Sequence, residues 1–198
     1  MAVEGTLALP APAPPARPRV LLVGTALASI GTFMGFAGMI GFYLQARSAV
    51  IHKGGTWIPA GAHIPLTPGN MAFATMLLSG VSMWWAIDAV GRNDRQSAYL
   101  ALGVTIFFGL AVINATSFLY TQTKIPVDTT AGALFYGVTG AHLAMIIAGL
   151  TFAAVMTFRT LGGEYQGRDR EGITAAALFW YATIAVDAVI WLAIYVTK

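Results

Sequence analysis

Residues 131–158 read AGALFYGVTGAHLAMIIAGLTFAAVMTF, 28 positions with one ionisable side chain, His142. A helix rises about 1.5 Å per residue, and about 20 apolar residues cross a hydrocarbon core about 30 Å thick. The segment is therefore long enough to span a bilayer. Four other stretches pass the same test: residues 20–45, 71–90, 99–119 and 173–196. The predicted fold is all-α, a polytopic membrane bundle of five transmembrane helices. Composition agrees, with 57% hydrophobic residues and 10% charged ones, against about a quarter charged in soluble domains. The mean hydropathy is +0.71. The 22 glycines suit helices that approach closely inside lipid.

Outside the spans, residues 1–19 carry Pro10, Pro12, Pro14, Pro15 and Pro18. This stretch is expected to be an extended, disordered cytoplasmic tail ahead of a single five-helix domain, 20–198. Its basic residues, Arg17 and Arg19, precede an apolar run long enough to span, so the segment is read as a retained helix rather than a signal peptide. One side of the membrane collects seven basic residues: Arg17, Arg19, Arg92, Arg95, Arg159, Arg168 and Arg170. The other collects four: Arg47, Lys53, Lys124 and Lys198. The positive-inside rule then places the N-terminus in the cytoplasm and the C-terminus outside. Tyr43, Trp57, Tyr120, Trp191 and Tyr195 fall toward the outer interface, and Trp84, Trp85 and Tyr99 toward the inner one. The longest loop, about 47–70, is read as an irregular outer segment available to a partner subunit.

Several chemistries are disfavoured at once. The chain has no cysteine, which removes disulfides, thiolate metal sites and iron–sulfur clusters. No phosphate-cradling GxxxxGK[ST], Rossmann glycine run or HExxH occurs in a supporting context, and a net charge of +3 gives no reason to expect nucleic acid. His52 and His63 in the outer loop lack further donors and are expected to be solvated rather than metal ligands.

Three ionisable side chains lie within the spans: Asp88, His142 and Asp187. A central Asp costs about 2.5–3.5 kcal/mol on insertion scales, so each requires a partner or water. Asp88 precedes Arg92 by four residues, the spacing of a helical ion pair. His142 and Asp187 each fall about 16 Å below the outer end of their helices. Equal depth on consecutive antiparallel helices predicts a structural hydrogen bond or ion pair between them. The functional alternative is a proton relay, for which Thr139 and Thr183 are the evident polar neighbours. Small-residue ridges occur at Gly31 and Gly35 and at Gly140, Ala144 and Ala148, and are expected to contact other helices.

Four stretches also carry a resemblance. Phe135-Tyr136 followed by Thr139-Gly140-Ala141-His142 resembles the FY...TGxH stretch of subunit III of cytochrome c oxidases, and Val186-Asp187 with Trp191 resembles the VDxVW ending of that family. Phe36-Ala37-Gly38, Tyr43 and Ala46-Arg47 are similar to its FAGxxxxYxxAR segment, and Trp57 with Pro59 to its Trp-Pro loop. Five spans with an inside N-terminus resemble the short bacterial form, which lacks the first two helices of seven-helix members. The likeness is divergent: Thr32 and Leu119 stand where the family carries glutamate, Met145 and Ile184 where it carries histidine. Roles tied to those side chains do not transfer.

The resemblance implies a non-catalytic accessory subunit of a terminal heme-copper oxidase in the cell inner (plasma) membrane. It would pack beside catalytic subunit I and other respiratory-complex subunits and stabilise them, with haem and copper held by those partners and phospholipid in contact with the bundle. With a single intramembrane histidine, no catalytic, cofactor-binding or metal residue is assigned to this chain. The alternatives are a subunit III-like component of a related complex such as nitric oxide reductase, or a small transporter or channel subunit. No internal repeat of interrupted helices favours the last.

Overall fold

A computed structural model describes residues 19–163 and 170–197. The expected tail, apart from Arg19, lies outside the described residues, as do Arg168 and Lys198. Five helices follow in order: α1 (Val20–His52), α2 (Leu66–Gly91), α3 (Arg95–Thr123), α4 (Thr130–Leu161) and α5 (Glu171–Ile190), the last continued by a π-helical turn, Trp191–Val196. All five are long and apolar enough to cross a membrane, and among the described residues there is no strand. The protein is an all-α polytopic membrane bundle.

The helix ends show how the chain manages backbone groups that have no partner within the helix. Asp94 accepts the Ser97 amide at the start of α3, and Thr129 accepts the Gly132 amide at the start of α4. Their side-chain oxygens act as N-caps. The start of α1 has no such residue. Its Leu22 amide instead donates to Glu171 Oε1 at 3.1 Å, so the first turn of α5 caps the first turn of α1. Within the spans, hydroxyls donate to the carbonyl one turn back, as Thr105 does to Ala101 and Thr116 to Val112, which removes a free donor from lipid.

Two boundaries differ from the sequence reading. The segment 47–52 continues α1, because Ala46, Ala49, Val50 and Ile51 extend the apolar run past Arg47; His52 therefore sits on the last helical turn, not in a loop. At the other end, Pro68 falls in the first turn of α2, where proline removes no helical hydrogen bond. The irregular outer segment shrinks to residues 53–65.

α5 holds the bundle together, touching α1, α2 and α4, while α2 pairs closely with α3. α1 is peripheral: 17% of its span is buried, against 33–44% for the other helices. Two separate cores result. One, nearer the α2–α3 turn and called the inner core for that end, joins α2, α3, α4 and α5 around Met76, Met83, Leu102, Ile146 and Trp180. The other, nearer residues 53–65 and called the outer core, joins α1, the loops at that end, α4 and α5 around Tyr43, Leu119, Phe135, Val186 and Ile194.

Close approach in the inner core depends on missing side chains. A Cβ on Gly149 would lie 2.9 Å from Trp180 Cε3, and one on Gly109 would strike Leu150 and Trp180. Trp180 fills that space completely and donates its indole N–H to Ser79 Oγ at 2.9 Å. The glycines marked from the sequence play no such part inside this chain. Gly31, Gly35 and Gly140 have nothing within 4 Å of an added Cβ, and Ala144 and Ala148 are exposed.

Candidate functional site

The polar groups of the outer core meet where α4 faces α5. Thr183 and Asp187 are four residues apart, so one face of α5 presents both to α4. His142 lies opposite them. Its Nε2 is 3.2 Å from the Thr183 carbonyl oxygen and its Nδ1 is 3.6 Å from Asp187 Oδ1. Phe36 of α1 stands edge-on to the imidazole, with ring centroids 6.2 Å apart. The structure thus brings together the two residues that equal depth paired, and adds a backbone carbonyl that residue types alone do not signal.

The partners fix the proton count. A carbonyl only accepts, so Nε2 carries a hydrogen and Nδ1 of a neutral ring is a bare acceptor. Asp187 Oδ1 would then be a second acceptor facing the first. One further proton on the pair, on the ring or on the carboxyl, resolves that conflict and leaves the unit neutral in a low-dielectric setting. The 3.6 Å separation is longer than a good N–H···O bond, so the second carboxyl oxygen matters. Asp187 Oδ2 is buried and has no hydrogen-bond partner. Asp187 borders a cavity of about 30 Å³ whose lining also includes Gly69, Thr116, Thr139, His142 and Tyr195.

Aromatic side chains enclose this cluster. Tyr120 donates to Thr139 Oγ1 at 2.9 Å, and Thr139 in turn donates to the Phe135 carbonyl. Trp57 donates to the Tyr43 hydroxyl at 3.0 Å, which pins the outer loop onto α1. Trp191, which also lines the cavity, stacks on Phe73 at 5.0 Å and donates to Asn70 Oδ1 at 2.8 Å. Of the aromatics expected at the outer interface, Tyr43, Trp57 and Tyr195 are therefore buried among neighbours. Tyr195 rests against Gly69, whose Cβ would come within 2.7 Å of its ring. That contact follows from the π turn and could not be found from helical spacing at 3.6 residues per turn.

The remaining polar sites are simpler. Asp88 and Arg92 pair at 2.9 Å with Arg92 exposed and Asp88 half-buried, the i to i+4 contact their spacing indicates. His52 and His63 are exposed, and among the described residues no group of three His, Cys, Asp or Glu could hold a metal. At the α2–α3 turn, Asp94 lies before the α3 span; its bond from Ser97 holds its carboxyl below the usual range. A second recess, of about 600 Å³, opens there between Arg19, Leu22, Arg170 and Glu171.

Comparison with known proteins gives this architecture a family. The family model described as cytochrome c oxidase subunit III matches residues 16–198. Among curated proteins, the chain is 34% identical over 183 residues to cytochrome c oxidase subunit 3 of Lemur catta, covering 89% of this chain and 65% of that one. It is 32% identical over 189 residues to the Bos taurus protein of the same name, covering 92% and 70%. The Sus scrofa protein gives 32% over 183 residues, covering 89% and 68%. The chain thus spans about two thirds of the length of these curated relatives. A match that runs through all five helices, and through both partners of the buried pair, establishes that the chain belongs to the cytochrome c oxidase subunit III family.

Proposed function

We propose that this chain is a non-catalytic accessory subunit of a terminal heme-copper oxidase, packed beside the catalytic subunit and stabilising it in aerobic electron transport. The observation that carries the reading is the family match over residues 16–198. Two features of the surface support it. Gly31 and Gly35 of α1 and Gly140, Ala144 and Ala148 of α4 form smooth faces that no helix of this chain occupies. Such faces let a neighbouring backbone approach closely, which is how helices associate where lipid removes the hydrophobic driving force. In this reading haem and copper belong to the partner subunits. Polar groups such as Tyr120, Thr139, Ser82 and Thr105 bond to one another or to backbone carbonyls.

The chain would reside in the plasma membrane with its N-terminus in the cytoplasm, the orientation that places seven of eleven Lys and Arg residues inside. The recess bearing Arg19 and Arg170 would then face the inner headgroups, where two guanidinium groups suit a phospholipid phosphate. Purification through an affinity tag on this chain in mild detergent tests the assignment. The expected result is a coloured complex with haem absorbance in stoichiometric proportion to the tagged chain. A colourless preparation, with the haem-bearing subunits remaining elsewhere in the same membranes, would overturn it.

A further inference from the structure

We propose that the cavity between α2, α3, α4 and α5 is a hydration site for a single ordered water, bound by Asp187 Oδ2 and the hydroxyls around it. The first argument is donor counting. Asp187 Oδ2 is buried with no protein donor, while Oδ1 faces His142. A carboxyl oxygen left so in a membrane interior is costly, and such groups characteristically face internal water.

Size is the second argument. The cavity holds about 30 Å³, and a water needs only about 10–15 Å³ of such space together with two to four polar partners. It is too small for a lipid headgroup or an organic ligand. Chemistry of the lining is the third. Thr116 Oγ1 donates to the Val112 carbonyl at 2.9 Å, so its lone pairs remain to accept. Tyr195 borders the same space and brings a phenolic O–H. A water there donates one hydrogen to Asp187 Oδ2 and the other to Thr116 Oγ1, and accepts from Tyr195. All three groups are then satisfied.

Trp191, held by Asn70 and stacked on Phe73, lines the same cavity, and Asp187 Oδ2 is itself buried, so the water sits apart from bulk solvent. Its consequence is structural and specific to α5. The water ties the carboxyl to α3 and to the π turn, in addition to the α4 contact through His142, so that one side chain links three elements.

The test is a density map of the purified complex containing this chain, at a resolution that shows ordered water, for the wild type and for Thr116→Leu. The larger, apolar side chain occupies the cavity and removes an acceptor, while both residues of the His142–Asp187 contact are kept. The expected result is a discrete feature within hydrogen-bond distance of Asp187 Oδ2 in the wild type and its loss in the variant. An empty cavity, a direct protein donor on Oδ2, or occupation by a partner side chain or lipid would each overturn the proposal. Should Thr116→Leu fail to assemble, Thr116→Val, which keeps the shape and removes one acceptor, should weaken the feature; an unchanged feature would refute the assigned bonding.

Discussion

The two cores of this bundle use different chemistry to solve one problem, that of holding helices together in a solvent as apolar as their side chains. The inner core is shape-matched: glycines at 109 and 149 make a slot, and Trp180 fills it. Its polar groups are closed, with Trp180 on Ser79 and Ser82 on Thr105 at 2.7 Å. The outer core relies on polar contacts, Tyr120 on Thr139 and His142 between the Thr183 carbonyl and Asp187, and it retains one unpartnered carboxyl oxygen and a cavity. Packing by shape tolerates no change of volume. Packing by polar pairs tolerates changes that conserve donors and acceptors.

That difference predicts the largest effect at the inner core. Trp180→Ala empties a filled slot and should cost about 3 kcal/mol or more, the range for loss of a buried tryptophan, most of it as lost van der Waals contact. Thermal unfolding of the purified chain or complex reads this as a large fall in midpoint. Trp180→Phe should fall less, since part of the ring contact persists, a smaller void is left and one hydrogen bond, worth about 1 kcal/mol, is lost.

Glycine substitutions sharpen the same contrast by separating packing within the chain from packing against a partner. Gly149→Ala should destabilise by about 1–3 kcal/mol through overpacking against Trp180. Gly31→Leu should change the stability of the chain itself by less than about 0.5 kcal/mol, as expected at a surface position. In the proposed complex, however, Gly31→Leu should weaken association. Comparing melting of the free chain with retention of haem-bearing subunits on a tagged column distinguishes the two. Equal losses at both positions in the free chain would break the distinction.

In the outer core the expected effects are smaller and depend on chemistry rather than volume. Asp187→Ala leaves His142 Nδ1 without a partner and should cost about 1 kcal/mol, near the upper part of the range measured for polar contacts inside membranes. Asp187→Asn should be milder, because its amide N–H can donate to Nδ1 and no shared proton is then needed. If the asparagine variant melted below the alanine variant, the neutral proton-sharing arrangement would be wrong.

How much of this was legible from residues alone follows the same division. The five spans, the His142–Asp187 pair and the Asp88–Arg92 pair are periodic or depth-matched features, and simple counting along a helix finds them. The extension of α1 to His52 was missed because Arg47 and Lys53 bracket a short apolar segment that a charge-based boundary cuts too early. The ridge glycines were marked by spacing, yet spacing cannot say whether the neighbour is in the same chain. Gly109 and Gly149, which receive Trp180, lie on two different helices, α3 and α4, so no spacing along one helix pairs them. The Thr183 carbonyl, the cavity and the Tyr195–Gly69 contact require backbone positions, and the last depends on a π turn that shifts every later side chain around the helix axis.

The smallest effect lies outside both cores, at the α3 N-cap, and it carries a pH signature that neither core should share. The Ser97 bond lowers the Asp94 carboxyl below its ordinary value, so the folded state binds its proton less readily than the unfolded state. The stabilisation is therefore present above the ordinary carboxylate pKa of about 3.9 and is lost as pH falls through the lower folded value. Because Asp94 is exposed, the change belongs to the first turn of α3 rather than to the bundle. Amide exchange at Ser97 should be faster in Asp94→Ala than in the wild type at neutral pH, and the two should converge in strong acid. Asp94→Asn, which caps without a charge, should show protection with no such pH dependence. Convergence at neutral pH instead would mean that the cap contributes nothing, and that the first turn of α3 is held by its packing against α2.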